Sequence, residues 1–513
     1  MSASHAESQA RSLLERQATV ESNARTYPRR LPIAIARAAG AWVTDVDGRR
    51  YIDCLSCAGA LPLGHNAPSV VEALQRHLRD GLPMQTLDLQ TPTKHEYVEA
   101  LLGSFPESMG RRAKVHFCGP SGSDAVEAAL KLAKTATGRR TVLAFQGGYH
   151  GQTHGSLALM GNLGPKTPIT GTMADVQFLP FPYAYRCPFH APGRDTACGC
   201  RTEKEACSST FQIESMLDDV ESGVTQPAAM ILEVVQGEGG CIAAPLDWLR
   251  EIRRITRERQ IPLIVDEVQT GWGRTGTLYA FERAGIEPDI VVLSKAIGGG
   301  LPLAAIVYDE ALDVWRPGAH TGTFRGNLMA MTAGLATLRQ IQTQRLAEHA
   351  ERMGERLMDR LRSLAAELPW IGDVRGRGLM IGAEIVDPQR PDRLGRPSAD
   401  GRRARAIQQA CFERGLLIEL GGRGGCVLRF LPPLIVTSRR SRRHRRHRRG
   451  RVSRNSRRQR RARIAGVESC VSGTFLGRSL AAANLPATKL AAKNLFALST
   501  LRLFVLKSIL LKP

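Results

Sequence analysis

The sequence predicts an α/β fold in which a mostly parallel central sheet carries helices on both faces, with a smaller α+β domain assembled from both ends of the chain. Three observations predict it. The chain has 513 residues, 43% hydrophobic and 23% charged, enough to bury one large core or two ordinary ones and incompatible with full-length disorder. From about residue 114 it passes through short continuous apolar runs, KVHFCG, TVLAFQ, AAMILEVVQ, IPLIVDEVQ, DIVVLSK and AAIVYD, with the Val/Ile/Leu character of strands buried on both faces. Several are separated by amphipathic stretches such as DAVEAALKLAKTATG and APLDWLREIRRITRERQ, the alternation that builds a parallel sheet.

Taken in order, residues 1–30 form a polar N-terminal arm. Glu7, Glu15 and Glu21 interrupt it, and it lacks both the apolar stretch of a secretory signal and the acid-poor pattern of a transit peptide, so a cytoplasmic location is expected. Residues 31–65 open the small domain: LPIAIARAAGAWVTDVDGRRYIDC alternates apolar and polar around Asp47-Gly48, which supplies the positive φ of a tight hairpin turn. Residues 66–330 make the large domain and contain the six apolar runs. Residues 331–437 complete the small domain with the amphipathic helix AEHAERMGERLMDRLRSLAAEL and the strands VRGRGLMIGAEIV and GGCVLRFLPPLIVT. Nowhere is a charge-free apolar run long enough to span a bilayer.

The formal net charge is +23, but it is confined to one end. Residues 438–513 hold 21 of the 71 Lys+Arg and 1 of the 48 Asp+Glu, which leaves 50 basic against 47 acidic side chains, or +3, in residues 1–437. A body this close to neutral has no electrostatic footprint for a phosphate backbone, so neither nucleic acid nor membrane is expected as a partner. Eleven cysteines, an odd number without small-domain spacing, fit reduced thiols. Cys187, Cys198, Cys200 and Cys207 crowd near His190, but without paired CxxC knuckles they read as a thiol-bearing insertion rather than a zinc site. His150 and His154 read as scaffold, and no metal site is expected.

Ligands of such sheets bind beyond the carboxyl ends of the strands. Residues 1–437 contain seven lysines, and only Lys295 ends an apolar strand, just before Gly298-Gly299-Gly300. A lysine desolvated there has a depressed pKa and becomes a nucleophile suited to a Schiff base; taken alone it also reads as an ordinary strand-end surface lysine. Asp266 closes IPLIVDE, where an acid after four apolar residues is costly unless it meets a cation. Paired with a pyridinium nitrogen it would turn the ring into an electron sink; the plainer reading is a capped or metal-bound carboxylate. The turn Gly119-Pro120-Ser121-Gly122-Ser123 places backbone N–H groups and hydroxyls at a helix start, a geometry that binds phosphate or simply caps the helix. Lysine, acid and phosphate cradle on one sheet together describe a site for pyridoxal 5'-phosphate (PLP).

The segments FQGGYHG (145–151), EVVQGEGG (233–240), LIVDEVQTGWGRTG (263–276), LSKAIGGGLPL (293–303) and TGTFRGN (321–327) closely resemble the class III aminotransferases of PLP fold type I. The resemblance runs from about residue 30 to 437. It implies that Lys295 forms the Schiff base with PLP and that Asp266 pairs with the pyridine nitrogen. It places Gln269 beside the cofactor's 3-oxygen, Tyr149 against its ring, and Gly122 and Ser123 at its phosphate. Thr323 matches a threonine that reaches the phosphate from a neighbouring subunit, so at least a homodimer is implied. Arg429 matches the arginine that grips the α-carboxylate of glutamate and 2-oxoglutarate, Glu238 the glutamate that masks this arginine while an ω-amino donor is bound, and Glu233 a further active-site acid.

Within the class, GPSGSDAVEAALKLAKTATGR, PYAYRCPF, WRPGAHTGTFRGN and AWVTDVDGRRYIDCL are most similar to diaminobutyrate–2-oxoglutarate aminotransferases. These convert aspartate 4-semialdehyde and glutamate to L-2,4-diaminobutyrate, commonly for siderophores, so an amino-aldehyde or diamino acid joins glutamate and 2-oxoglutarate as the implied substrates. A 4-aminobutyrate or ornithine type enzyme is the alternative within the class. Outside it stands a degenerate enzyme fold with a basic nucleic-acid or membrane-binding tail; Lys295, Asp266 and Arg429 favour the enzyme.

The tail departs from the resemblance. After PPLIVT the chain becomes SRRSRRHRRHRRGRVSRNSRRQRRARIAG, either a basic arm without the aromatic interleaving of a base-stacking surface or, as favoured here, the product of a shifted reading frame. RRHRRHRR (442–449) can be encoded CGC CGC CAT CGC CGC CAT CGC CGC. Read one base later, the same bases give Ala-Ala-Ile-Ala-Ala-Ile-Ala, the kind of apolar helix with which related aminotransferases close after PPL.

Overall fold

The computed structural model describes residues 8–169, 171–189 and 208–437. The expectations for the tail 438–513, for His190 and for Cys198, Cys200 and Cys207 lie outside the described residues.

Seven strands form the central sheet, in the order Ala113–Phe117, Ala305–Asp309, Ile290–Leu293, Leu263–Asp266, Ala229–Leu232, Val142–Phe145 and Val176–Leu179. Ala305–Asp309 runs antiparallel to both neighbours, and every other pair is parallel. Six of these strands are the six apolar runs of the sequence. The seventh, Val176–Leu179, has no such run: at the sheet edge its residues alternate between half-buried and exposed before ending buried at Leu179.

Period-two alternation divides the sheet between two cores. Ile264, Ile290, Val292 and Ile306 enter one, closed by the helix Gly122–Thr137 through Ala125, Val126, Ala129, Leu132 and Ala133. Leu263, Val265, Val291 and Leu293 enter the other, with Trp248 and Leu249 of the helix Leu246–Glu258 and Leu328 and Met331 of the helix Leu328–Thr343. Because both faces are covered, truncating a fully buried strand residue such as Leu293 to alanine would cost about 2–5 kcal/mol.

The remaining sheets join the two ends of the chain. Trp42–Asp45 and Arg50–Asp53 form the expected hairpin, with Gly48 at φ +83° and open space where a Cβ would stand, so the turn conformation rather than crowding selects glycine. Leu416–Leu417 then adds parallel to Arg50–Asp53. A second sheet orders Ile371–Arg377, Met380–Pro391, Val427–Phe430 and Glu419–Gly421, with Pro397–Ala399 beside Met380–Pro391. The long helix Leu346–Glu367 buries Ala350, Gly354, Leu357, Met358, Leu361 and Leu364, the spacing of one helix face. Among the described residues no helix is long and apolar enough to cross a membrane.

Candidate active site

The strands Ala113–Phe117, Val142–Phe145, Ala229–Leu232, Leu263–Asp266 and Ile290–Leu293 point the same way, so the segments that follow them converge at one edge of the sheet. There a cavity of about 180 Å³ is lined by Gly122, Ser123, Tyr149, Glu233, Glu238, Asp266, Gln269 and Lys295, eight of the ten residues expected, together with His150, Gly151 and Val268.

Asp266 is the last residue of its strand and 5% exposed. Its Oδ1 accepts from the Val268 N–H at 3.0 Å, and its Oδ2 lies 2.8 Å from His150 Nδ1. Burial disfavours a charged imidazole, yet the hydrogen bond to Asp266 and the charges of Asp266 and Glu233 outweigh it and raise the His150 pKa. The pair therefore presents a carboxylate braced by an imidazole whose protonated form the surroundings favour.

Lys295 leaves the neighbouring strand in a left-handed conformation, φ 50°, which is uncommon for a residue with a Cβ. Ser294 Oγ donates to the Leu303 carbonyl at 2.9 Å and steadies this bend. Burial pushes the lysine amine below its ordinary value, against the opposing charges of Glu238 and Asp266. It has no hydrogen-bond acceptor among the described residues, so its nitrogen is free to react.

On the other side of the cavity, Ser121 caps the helix Gly122–Thr137 by accepting from the Asp124 N–H at 3.2 Å. Gly122 and Ser123 thus begin the helix with N–H groups that have no intrahelical acceptor, where the helix dipole favours an anion. Ser123 Oγ accepts from the Gln152 N–H at 3.1 Å. A Cβ on Gly151 would fall 2.2 Å from Ser123 Oγ, so glycine permits the loop after Tyr149 to approach the cradle. A free, half-buried amine, a braced carboxylate, unbonded N–H donors at a helix start and a half-buried Tyr149 ring form a donor set that fits PLP.

Glu233 lines the cavity, but its place is more structural than a substrate contact. Its Oε1 accepts from the Tyr149 N–H and its Oε2 from the Gly237 N–H, both at 2.9 Å, so it ties the tyrosine loop to the loop that carries Glu238. Burial pushes its pKa up to about 7.

Arg429 is fully buried behind the cavity wall. Its Nη1 donates to Glu238 Oε1 at 2.5 Å and to Glu419 Oε2 at 3.1 Å, and its Nη2 donates to Gln269 Oε1 at 2.8 Å. Gln269 also donates to the Ala58 carbonyl at 3.0 Å, so both ends of its amide are engaged in holding this wall. Burial works against the charge of Glu238, but Arg429 and Lys295 prevail and lower its pKa. Thr323 is the one expected residue that stands apart: it is exposed and outside the cavity of its own chain.

Two partnerships of this arrangement were not read from the sequence, which took His150 as scaffold and did not single out Glu419. His150 follows Tyr149 directly, but nothing along the chain indicates that it faces Asp266, 116 residues away. Glu419 stands directly across a strand pair from Arg429, a relationship that exists only once the sheet register is known.

A family model described as aminotransferase class III matches residues 23–444. The chain is 55% identical over 425 residues to the diaminobutyrate–2-oxoglutarate aminotransferase of Rhizobium meliloti (strain 1021), covering 83% of this chain and 88% of that protein. It is 51% identical over 419 residues to the enzyme of the same name from Haemophilus influenzae, covering 82% and 90%. Among solved structures it is similar to a PLP-bound amine transaminase from an uncultivated Pseudomonas species, with TM-score 0.70, 30% identity and coverage of 82% and 94%. It is likewise similar to the ornithine aminotransferase of Toxoplasma gondii ME49, with TM-score 0.68, 25% identity and coverage of 84% and 91%. With the lysine, the acid and the helix start already in position on the sheet, these matches establish that the chain belongs to the class III aminotransferases, enzymes that depend on PLP.

Proposed function

We propose that this aminotransferase exchanges an amino group between the pair glutamate and 2-oxoglutarate and the pair L-2,4-diaminobutyrate and aspartate 4-semialdehyde. The observation that carries the reading is the Arg429–Glu238 contact of 2.5 Å at the cavity wall. The names of the relatives from Rhizobium meliloti and Haemophilus influenzae supply the specific substrates.

Bound PLP supplies an electrophilic carbon and a ring that withdraws electrons from it. Lys295 would hold that cofactor through its nitrogen, and its depressed pKa would suit it to move a proton at Nζ. Asp266, braced by His150, provides the carboxylate for the ring nitrogen, and the Gly122 and Ser123 N–H groups hold the phosphate. Tyr149 covers the ring. Gln269 belongs beside the 3-oxygen while keeping its contact with Arg429.

Arg429 and Glu238 select between substrates. A dicarboxylate such as 2-oxoglutarate takes the guanidinium by displacing Glu238, whose side chain is 35% exposed on the cavity side and so has room to move. An ω-amino substrate leaves the ion pair closed, so no unpaired buried cation is created. The exposure of Thr323, beside the 65% exposed Phe324, supports a homodimer in which this segment completes a neighbour's phosphate site.

The test is direct. PLP-loaded protein given glutamate and aspartate 4-semialdehyde should form 2,4-diaminobutyrate and 2-oxoglutarate. Faster turnover of 4-aminobutyrate or ornithine would assign it to another branch of the class.

A further inference from the structure

Arg429 is opposed by two acids, and they are not equivalent. Glu238 sits in the loop after the strand Val235–Gln236 with its side chain 35% exposed. Glu419 is 7% exposed at its side chain and lies in a strand, directly paired in register with Arg429 on the next strand. Its second oxygen is held too: the Tyr27 hydroxyl donates to Glu419 Oε1 at 2.7 Å. One acid can leave the guanidinium by swinging into the cavity, whereas the other is fixed by sheet register and by a residue 392 positions away. Both meet the same nitrogen, Nη1, so a carboxylate that takes the place of Glu238 there shares the nitrogen with Glu419.

On this ground we propose that Glu419 is a specificity-determining residue, a fixed counter-charge that weakens the grip of Arg429 on dicarboxylates. The proposal rests on the reading of Arg429 as the partner of the substrate carboxylate. With both acids in place, Arg429 is matched by two direct ion-pair partners and offers an incoming carboxylate little free charge. When Glu238 leaves, Arg429 and Glu419 together are still neutral, so the incoming carboxylate meets a paired cation and not a free one. One member of the glutamate and 2-oxoglutarate pair must depart as product in every cycle, and an uncompensated buried arginine would hold it long enough to exclude the second substrate. Tyr27 keeps the counter-charge aimed, which gives this residue near the N-terminus a part in substrate choice.

The experiment compares PLP-loaded wild type, Glu419→Gln, Glu419→Asp and Arg429→Lys. Affinity for glutarate, an unreactive dicarboxylate, is measured by calorimetry, and selectivity as kcat/KM for 2-oxoglutarate over kcat/KM for the ω-amino donor. Removing the charge in Glu419→Gln should tighten glutarate binding about tenfold and raise that selectivity by a similar factor, chiefly through a lower KM for 2-oxoglutarate. Glu419→Asp keeps the charge but withdraws it by one methylene and should fall between; it carries the test if the glutamine variant does not fold. Unchanged or weaker glutarate binding in both Glu419 variants, with Arg429→Lys clearly impaired, overturns the proposal alone. Wild-type glutarate binding in Arg429→Lys overturns the reading of Arg429, and the proposal with it.

Discussion

His150 stands directly behind Asp266, with Nδ1 2.8 Å from Oδ2, although 116 residues separate them. Both side chains are buried, at 1% and 5% exposure, so the carboxylate is oriented by a charge-assisted contact that water does not screen. The Val268 N–H fixes its other oxygen. The acid proposed for the ring nitrogen is therefore aimed by the protein's own groups.

Replacing His150 with asparagine shortens the side chain and removes its cationic form. PLP should be lost faster on dialysis, and kcat should fall by about 10- to 100-fold, the worth of one charge-assisted hydrogen bond. Wild-type retention and kcat would show that Asp266 needs no brace.

Among the described residues Lys295 supplies the one side-chain amine that lines the cavity, and Lys295→Ala removes it. Borohydride should then trap no cofactor on the protein and turnover should vanish, while some PLP remains through the phosphate cradle. A peptide map that still carries a reduced adduct would place the reactive lysine elsewhere.

Arg429→Lys keeps a charge but loses the fork that reaches Glu238, Glu419 and Gln269 together. The loss in kcat/KM for 2-oxoglutarate should be on the order of 2 to 4 kcal/mol, seen mainly as a higher KM. Steady-state kinetics with varied 2-oxoglutarate at fixed donor measure it.

Glu267 offers a pH test of burial away from the substrate. It is 1% exposed, accepts from the Phe281 N–H at 3.1 Å, and burial pushes its pKa up from 4.5 to about 8. The folded state holds this proton more tightly than the unfolded chain does, so the stability it contributes is complete below about pH 4.5 and lost as pH rises toward 8. Glu267→Gln mimics the protonated form at every pH. Its Tm relative to wild type should therefore rise between about pH 5 and 8. A pH-independent Tm difference would show that this carboxyl ionises as freely in the fold as in the open chain.

The reading frame of the tail is decided by nucleic acid. Sequencing the gene should reveal, one base out of register after Thr437, a continuous open frame encoding an amphipathic helix. Stop codons or a polar, aperiodic translation there would make the basic segment native.

Much of the large sheet and the chemistry at its edge was legible along the chain, because both depend on local pattern. A buried strand needs a continuous apolar run, so six strands could be read, and the polar residues that interrupt or end such runs, Asp266 and Lys295, were marked by the cost of placing them there. The Gly/Ser turn into a helix was equally local. Strand Val176–Leu179 was not legible, since exposed Gln177 interrupts its short apolar run. Sequence resemblance, not periodicity, singled out Glu238 and Arg429. Tertiary structure alone decided that Glu233 and Gln269 have their polar atoms engaged in the walls, that His150 braces Asp266, and that Glu419 opposes Arg429. The physical reason is common to all four: a side chain's hydrogen-bond partner is set by sheet order and register, which bring together residues separated by up to hundreds of positions, and no local periodicity encodes that pairing.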